Sequence, residues 1–394
     1  MLVSNLIIGG GMAGLLIAHR LKQKNLDFML IEKNDYLGGR IKAEYFHGRK
    51  IPLGAGIMRE NDKYGISLCR ELDISVTSFE TNYIRHPSIE VDQTTIDKLI
   101  NTIKSTYETV KPQNISFENF IIKYLPDKLA LIKKCVTYTD CWDIDIEHLI
   151  KFYPLAELFP SKHKACLIDG GWSNVIDHLV KSINNTEKLH TNEEVIYIDS
   201  KQKSVRTSTS TYSYDKLFIC TDIGLFKKNH VLPESITNHM TSIGSVPYLR
   251  FYTYHPFGHN IPHFYYIPGP LNKSIPMGDK ILMASYCDNH HANNLRGLIQ
   301  FSSSSNLKET FNKLLQTAQS GGKYISDYFT DYTYQYWDHG IHYHKHPHQG
   351  EHKNFVYADD IYVLGEIVSH YQGWVEGAIH STADAISHIF DGKN

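Results

Sequence analysis

Leu6-Ile7-Ile8-Gly9-Gly10-Gly11-Met12-Ala13-Gly14-Leu15-Leu16-Ile17-Ala18 is the stretch that decides the fold. Three apolar residues stop at a glycine run, and apolar residues then recur at helical spacing as far as Leu21. A second apolar run, Phe28-Met29-Leu30-Ile31, ends in Glu32, 23 residues after Gly9. Strand, glycine turn, helix, strand and terminal acid make one βαβ unit. Gly9 permits the tight turn, Gly11 lets the backbone approach a pyrophosphate, and Gly14 allows the helix to lie close on the strand. The helix N-terminus presents free N–H groups and the positive end of its dipole. Glu32 stands where a carboxylate accepts hydrogen bonds from ribose hydroxyls. The pattern predicts a dinucleotide-binding α/β unit.

The rest of the chain is compatible with a large globular protein. Its 394 residues are 42% hydrophobic and 21% charged, which excludes a disordered or low-complexity chain. Forty Lys and Arg against 42 Asp and Glu leave no basic excess, so no nucleic-acid partner is expected. No apolar run approaches the ~20 residues of a membrane helix, so no membrane partner is expected either. The cysteines, Cys69, Cys135, Cys141, Cys166, Cys220 and Cys287, form no C-x-x-C pair. That favours a reducing compartment. With Met1 leading almost directly into a strand and no basic leader, the expectation is an unexported, cytoplasmic protein.

Helical patterning dominates from Val91 to Tyr138, with Ile96, Leu99, Ile100 and Ile103 on one face and a second stretch around Phe117 to Val136. Strands are expected at Glu194–Asp199, Ser204–Thr209, Lys216–Cys220 and Tyr248–Tyr254, and helices at Leu307–Ala318 and Val375–Ile389. Strand-and-helix material of the first kind therefore occurs at both ends and in the middle, with different material between. Two domains threaded through each other fit this order.

Beyond the fingerprint, Leu37-Gly38-Gly39-Arg40 places a guanidinium, with its paired donors for phosphate oxygens, beside a close-approaching backbone. Pro52-Leu53-Gly54-Ala55-Gly56, Asp169-Gly170-Gly171-Trp172, the strand carrying Val195, Asp215-Lys216-Leu217-Phe218-Ile219-Cys220-Thr221, Tyr362-Val363-Leu364-Gly365-Glu366 and Gly373-Trp374-Val375-Glu376-Gly377-Ala378 follow in order. On these motifs the chain resembles the flavin-containing amine oxidases, the superfamily of monoamine and polyamine oxidases. The resemblance implies an α/β fold in which a Rossmann-like FAD-binding domain interleaves with an α+β substrate domain, as in amine oxidases and p-hydroxybenzoate hydroxylase. The FAD-binding domain would comprise roughly residues 1–80, 165–240 and 355–394, and the substrate domain 81–164 and 241–354.

It also implies FAD as cofactor, an amine as substrate and dioxygen as acceptor, with hydride passing from the carbon next to nitrogen to flavin N5 and hydrogen peroxide released. Cofactor contacts are expected from Gly9, Gly11, Met12, Ala13, Gly14, Glu32 and Lys33, from Gly39 and Arg40, and from Gly54, Ala55, Gly56 and Ile57. Val195 would contact adenine through its backbone, Gly365 and Glu366 the ribityl chain, and Gly373, Trp374 and Val375 the flavin's pyrimidine end. Arg59, Lys63 and Tyr64 follow the second glycine segment, near the cavity's entrance.

Three departures from the family stand out. Trp374 falls on one of the two aromatic positions that frame the amine, but the partner ring would be His342, or Tyr343 under a one-residue shift. Ile341 takes the place where covalent members link the flavin to a cysteine, so FAD should be non-covalent. Tyr248 replaces the lysine that family oxidases carry beside the flavin, with Arg250 on the same side of the strand as either a cation or a surface arginine. Tyr248, Trp374 and His342 are thus the candidate catalytic residues. The loss of that lysine also opens a desaturase or redox-neutral mutase on the same fold, or a catalytically silent flavoprotein module. The third departure is the run His339, His342, His344, His346, His348 and His352. Its alternation could present imidazoles on one strand face, but no carboxylate or cysteine completes a set, and no metal is expected.

Overall fold

The computed structural model describes residues 1–136, 138–153, 155–159, 164–183, 186–228, 231–322, 324, 326–345 and 354–390. Leu2–Ile8 is an inner strand of an eight-stranded sheet, with Leu217-Phe218-Ile219 parallel to it on one side and Met29-Leu30-Ile31 on the other. Its run of apolar residues is explained by burial on both faces. Ile7 packs with Leu15, Leu16 and Ala18 of the helix Met12–Gln23, whereas Leu6 and Ile8 join Ile198, Val205 and Ile219. Leu189–His190 extends the sheet in parallel beyond Met29–Ile31, and Ile361–Val363 pairs in parallel with Thr211–Ile219. Residues from the start, middle and end of the chain therefore build one sheet. The helix Val375–Phe390 buries Ala378, Ile379 and Ala385 in the same cluster as the first helix.

A six-stranded sheet runs in the order Asp331–His344, Ile243–Tyr254, Ile281–Asp288, Lys273–Pro276, Phe264–Tyr266 and Tyr83–Arg85. Along Ile243–Tyr254, Leu249 and Phe251 turn into a core shared with Leu295, Leu307 and Phe311. The two-residue alternation of a strand sends Tyr248 and Arg250 to the opposite face. A helical layer holds Gln93–Val110, Phe117–Tyr124 and Leu129–Cys135. Ile96, Leu99 and Ile103 supply the buried stripe of the first, and Asp92 caps it by accepting from the Thr95 amide.

The α/β class expected from the sequence is the one observed. Element boundaries moved by several residues: the strand expected from Tyr248 starts at Ile243, and the helix expected from Leu307 starts at Ser304, after a Ser303 cap. Of the histidine run, His339, His342 and His344 lie on the Asp331–His344 strand, and His346, His348 and His352 lie outside the described residues. Among the described residues no three His, Cys, Asp or Glu side chains are grouped as a metal site, and no helix is long and apolar enough to cross a membrane.

Candidate active site

One cavity of about 1150 Å³ runs from the strand ends of the eight-stranded sheet to one face of the six-stranded sheet. A single small-molecule site takes roughly 300–1,000 Å³, so this volume leaves room for a cofactor and a second molecule. Gly9, Gly11, Met12, Ala13, Glu32, Lys33 and Val195 line its first part. Gly39, Arg40, Ala55, Gly56, Ile57, Gly365, Glu366, Gly373 and Val375 line the part where the two sheets approach. Tyr248, Trp374, Arg250, Tyr286, Trp337 and Lys273 line the part against the six-stranded sheet.

The glycines of the fingerprint divide by what surrounds them. A Cβ on Gly14 would sit 1.8 Å from the Gly9 carbonyl oxygen, and one on Gly9, whose φ is +102°, would sit 2.5 Å from the Cys220 carbonyl. Those two are glycine because the protein itself leaves no space. A Cβ on Gly11 would meet no atom within 4 Å, and Gly11 precedes the helix Met12–Gln23 with no side-chain cap on its first turn. An uncapped helix N-terminus facing a cavity is an anion site, so the cradle fits the pyrophosphate of a dinucleotide. Glu32 is held ready beside it: Oε2 accepts from the Gly10 amide at 2.7 Å, and Oε1 accepts from the Asn34 amide and side chain at 2.8 and 2.6 Å. Gly54 is also set by contact, because a Cβ there would lie 1.7 Å from the Arg40 carbonyl.

Glu366 is the hub between the two sheets. It accepts from Arg40 Nη2 at 2.6 Å, His342 Nδ1 at 2.6 Å, the His342 amide at 3.1 Å and the Gly373 amide at 2.6 Å. Burial alone would raise its pKa, but the Arg40 cation and the bonds from His342 and Gly373 outweigh burial and hold it well below the ordinary range. Arg40 also donates to the Gly340 carbonyl at 2.7 Å, and its side chain keeps 30% exposure. Expected as a ring of the substrate cleft, His342 is instead fully buried and does not line the cavity. Its Nε2 accepts from the Ile223 amide at 3.3 Å while Nδ1 faces Glu366, so its proton sits on Nδ1. The strand borders the cavity from Gln335 to Ile341, and the His342 ring is drawn away from it by Glu366 and the Ile223 amide. Tyr343, the alternative, packs against Gly244 and also lies off the cavity.

Among the rings that do line the cavity are Trp374, Tyr248, Tyr286 and Trp337. Arg59 lies 4.6 Å over the Trp374 ring and bonds Asp62 at 2.8 Å. Tyr248 packs edge-on to Tyr286 at 6.3 Å, and its hydroxyl lies 3.1 Å from where a Gly54 Cβ would be. Burial raises its pKa, so the phenol stays protonated at neutral pH. Arg250 is no surface residue: it is 8% exposed, donates to the Pro52 carbonyl at 3.3 Å and lies 4.9 Å from the Tyr286 ring. The cysteines on the wall, Cys141 and Cys220, are kept as thiols by burial.

The sequence reading missed Lys273, Asp140 and Asp288. Lys273 is 2% exposed, and its Nζ lies 3.4 Å from the Tyr138 ring, 4.5 Å from Tyr286 and 5.6 Å from Tyr266. Burial pushes its amine down to about 7, against the opposing pull of Asp288 and Asp140. Burial and the like charge of Asp288 raise Asp140. The available signal was the alternation of Tyr286 and Asp288 around buried Cys287, which puts a ring and an acid on the face that Tyr248 and Arg250 share.

Comparison with known proteins agrees with this geometry. Residues 7–72 match the model of the NAD(P)-binding Rossmann-like domain. The chain is 30% identical over 159 residues to the uncharacterised protein R188 of Acanthamoeba polyphaga mimivirus, covering 36% of this chain and 30% of that protein. It is 23% identical over 262 residues to polyamine oxidase 4 of Oryza sativa subsp. japonica, covering 57% of this chain and 52% of that one. The chain thus spans about half the length of these relatives or less. Cyclohexylamine oxidase from Brevibacterium oxydans superposes over 99% of both chains with a TM-score of 0.74 at 14% identity. The fold is that of the amine oxidases. That likeness of fold extends over the whole length of the chain.

Proposed function

We propose that this chain is an FAD-dependent oxidoreductase that oxidises an amine, with dioxygen as the final acceptor. The products would be an imine, which water converts to an aldehyde, and hydrogen peroxide. One observation carries the reading: a single cavity joins the dinucleotide cradle at Gly11 to a wall of aromatic rings at Tyr248 and Trp374. FAD, held without a covalent link because Ile341 stands where a linking cysteine would be, supplies the acceptor for a hydride. The residues named at the cradle would hold it: Gly11, Met12 and Ala13 at the phosphates, Glu32 at the ribose, Val195 at the adenine, and Gly365 and Glu366 at the ribityl chain. Gly373, Trp374 and Val375 bring the N-terminal end of the Val375–Phe390 helix to the cavity, and its positive dipole favours negative charge there. Trp374 and Tyr248 frame the substrate; His342 acts through Glu366 and so positions the cofactor's surroundings.

The division into residues 1–80, 165–240 and 355–394 for the cofactor and 81–164 and 241–354 for the substrate belongs to the same reading, as does a cytoplasmic location, supported by six free thiols. Tyr248 at the lysine position favours a second reading, a desaturase or redox-neutral mutase using the same FAD. An anaerobic absorbance titration of the FAD-loaded protein with amines, polyamines and amino acids separates the two. Bleaching by one class, followed by peroxide when air is admitted, supports the oxidase. A flavin that stays oxidised with all of them rejects it.

A further inference from the structure

Cavity walls built only to exclude water are apolar or have their polar atoms satisfied, because an unmade buried hydrogen bond costs about 1–3 kcal/mol. The wall against the six-stranded sheet breaks that rule at three atoms: Lys273 Nζ, Arg250 Nε and Asp140 Oδ1 have no hydrogen-bond partner among the described residues. All three residues line the cavity. Lys273 and Arg250 are 2% and 8% exposed, and both press on the ring of Tyr286, at 4.5 and 4.9 Å from its centroid. Ring faces at these distances favour the ammonium and guanidinium charges without using any of their N–H donors. Asp288, the other acid nearby, already has one oxygen, Oδ1, engaged by the Thr139 amide and hydroxyl. Unused donors therefore outnumber unused acceptors on this wall, and they sit on two cations.

We propose that Lys273, Arg250 and Tyr286 form a receptor for a carboxylate on the substrate, so that the amine oxidised here also carries an acid. A carboxylate takes charge-assisted hydrogen bonds from both cations at once, which a neutral or doubly cationic amine cannot. Asp140 offers its free oxygen to the amine or another N–H of the same molecule. A diamine, by contrast, would place its second ammonium against Lys273 and Arg250. The proposal rests on the cavity being the amine oxidase cleft.

The test is calorimetric titration of the FAD-loaded full chain with three pairs of probes: acetate and acetamide, benzoate and benzamide, phenylacetate and phenylacetamide. At least one carboxylate is expected to bind tenfold or more tightly than its amide. Lys273→Met should abolish that preference, and Lys273→Arg, which keeps the charge, should retain most of it. Equal affinity within every pair, no binding by any carboxylate, or a preference that survives Lys273→Met overturns the proposal. So does tighter binding of putrescine, lost in Asp140→Asn, which would make the wall an ammonium site. If Lys273→Met does not fold, the comparison within each pair and Lys273→Arg still decide. No turnover is read, so a carboxylate receptor without amine oxidation, and an amine oxidase without a carboxylate receptor, give different results.

Discussion

The two ends of the cavity are built on opposite principles. At Glu366 the charge is fully answered: four donors converge on one carboxylate, and the glycines at 9, 14 and 54 sit where a backbone carbonyl leaves no space for a side chain. Around Lys273 three buried polar atoms, Lys273 Nζ, Arg250 Nε and Asp140 Oδ1, are unanswered among the described residues. The first arrangement is rigid before any ligand arrives; the second stores its hydrogen-bonding capacity for one. A resident cofactor that stays through many turnovers suits the first, and a substrate that must be recognised and released suits the second.

The largest way to break this contrast is to add bulk where the backbone forbids it. Gly14→Val or Gly54→Val is expected to cost more than about 3 kcal/mol of stability, since the clash is with carbonyl oxygens and no rotamer relieves it. Urea denaturation of the FAD-free protein measures this. Next comes Glu366→Gln, which leaves Arg40 without its counter-charge and is expected to cost about 3 kcal/mol. The pH profile sharpens this prediction. The folded-state pKa of Glu366 lies below the ordinary 4.5, so its contribution is complete above 4.5 and is lost as the pH falls through the lower folded-state value. Glu366→Gln should therefore flatten the acid side of the stability curve and leave its neutral region parallel to that of the parent.

Gly11→Ala separates a glycine kept for a ligand from those kept for the fold. Its Cβ meets no protein atom and its φ is −78°, so stability of the FAD-free protein should change by less than about 0.5 kcal/mol. FAD affinity, read by fluorescence titration, should fall tenfold or more. The smallest effect concerns pH at the other end. Lys273 faces Asp140, Asp288, Arg250 and Cys287, with Tyr138, Tyr266 and Tyr286 around its amine. As the pH rises through about 7 the amine loses its proton, so carboxylate affinity should fall a few-fold, and Lys273→Arg should remove that dependence.

What the sequence disclosed follows the same division. Gly9 and Gly14 were legible because backbone contacts admit only glycine there, Gly11 because a pyrophosphate needs close approach at that spacing, and the βαβ unit followed from the strand, glycine turn, helix and strand. Glu366 was legible through its place beside Gly365, although its partners were not. His342 was misplaced because counting from Gly340 could not show that Glu366 and the Ile223 amide hold its ring away from the cavity. Lys273 and Asp140 were invisible for a different reason. They are 133 positions apart and come together only through a helical segment laid over the face of a sheet, so no local spacing announces them.

The Arg40–Glu366 bond has a consequence for how the chain matures. Its partners are 326 positions apart, and His342 and Gly373 join the same carboxylate. During synthesis the first helix and its glycine turn emerge early, but Glu366 and Gly373 are made only as the ribosome nears the C-terminal helix. A nascent chain stopped before Glu366 would display a dinucleotide turn with nothing to close it. A closed dinucleotide site therefore exists only once the C-terminal segment has been made, so a cofactor's capture there would follow synthesis of nearly the whole chain.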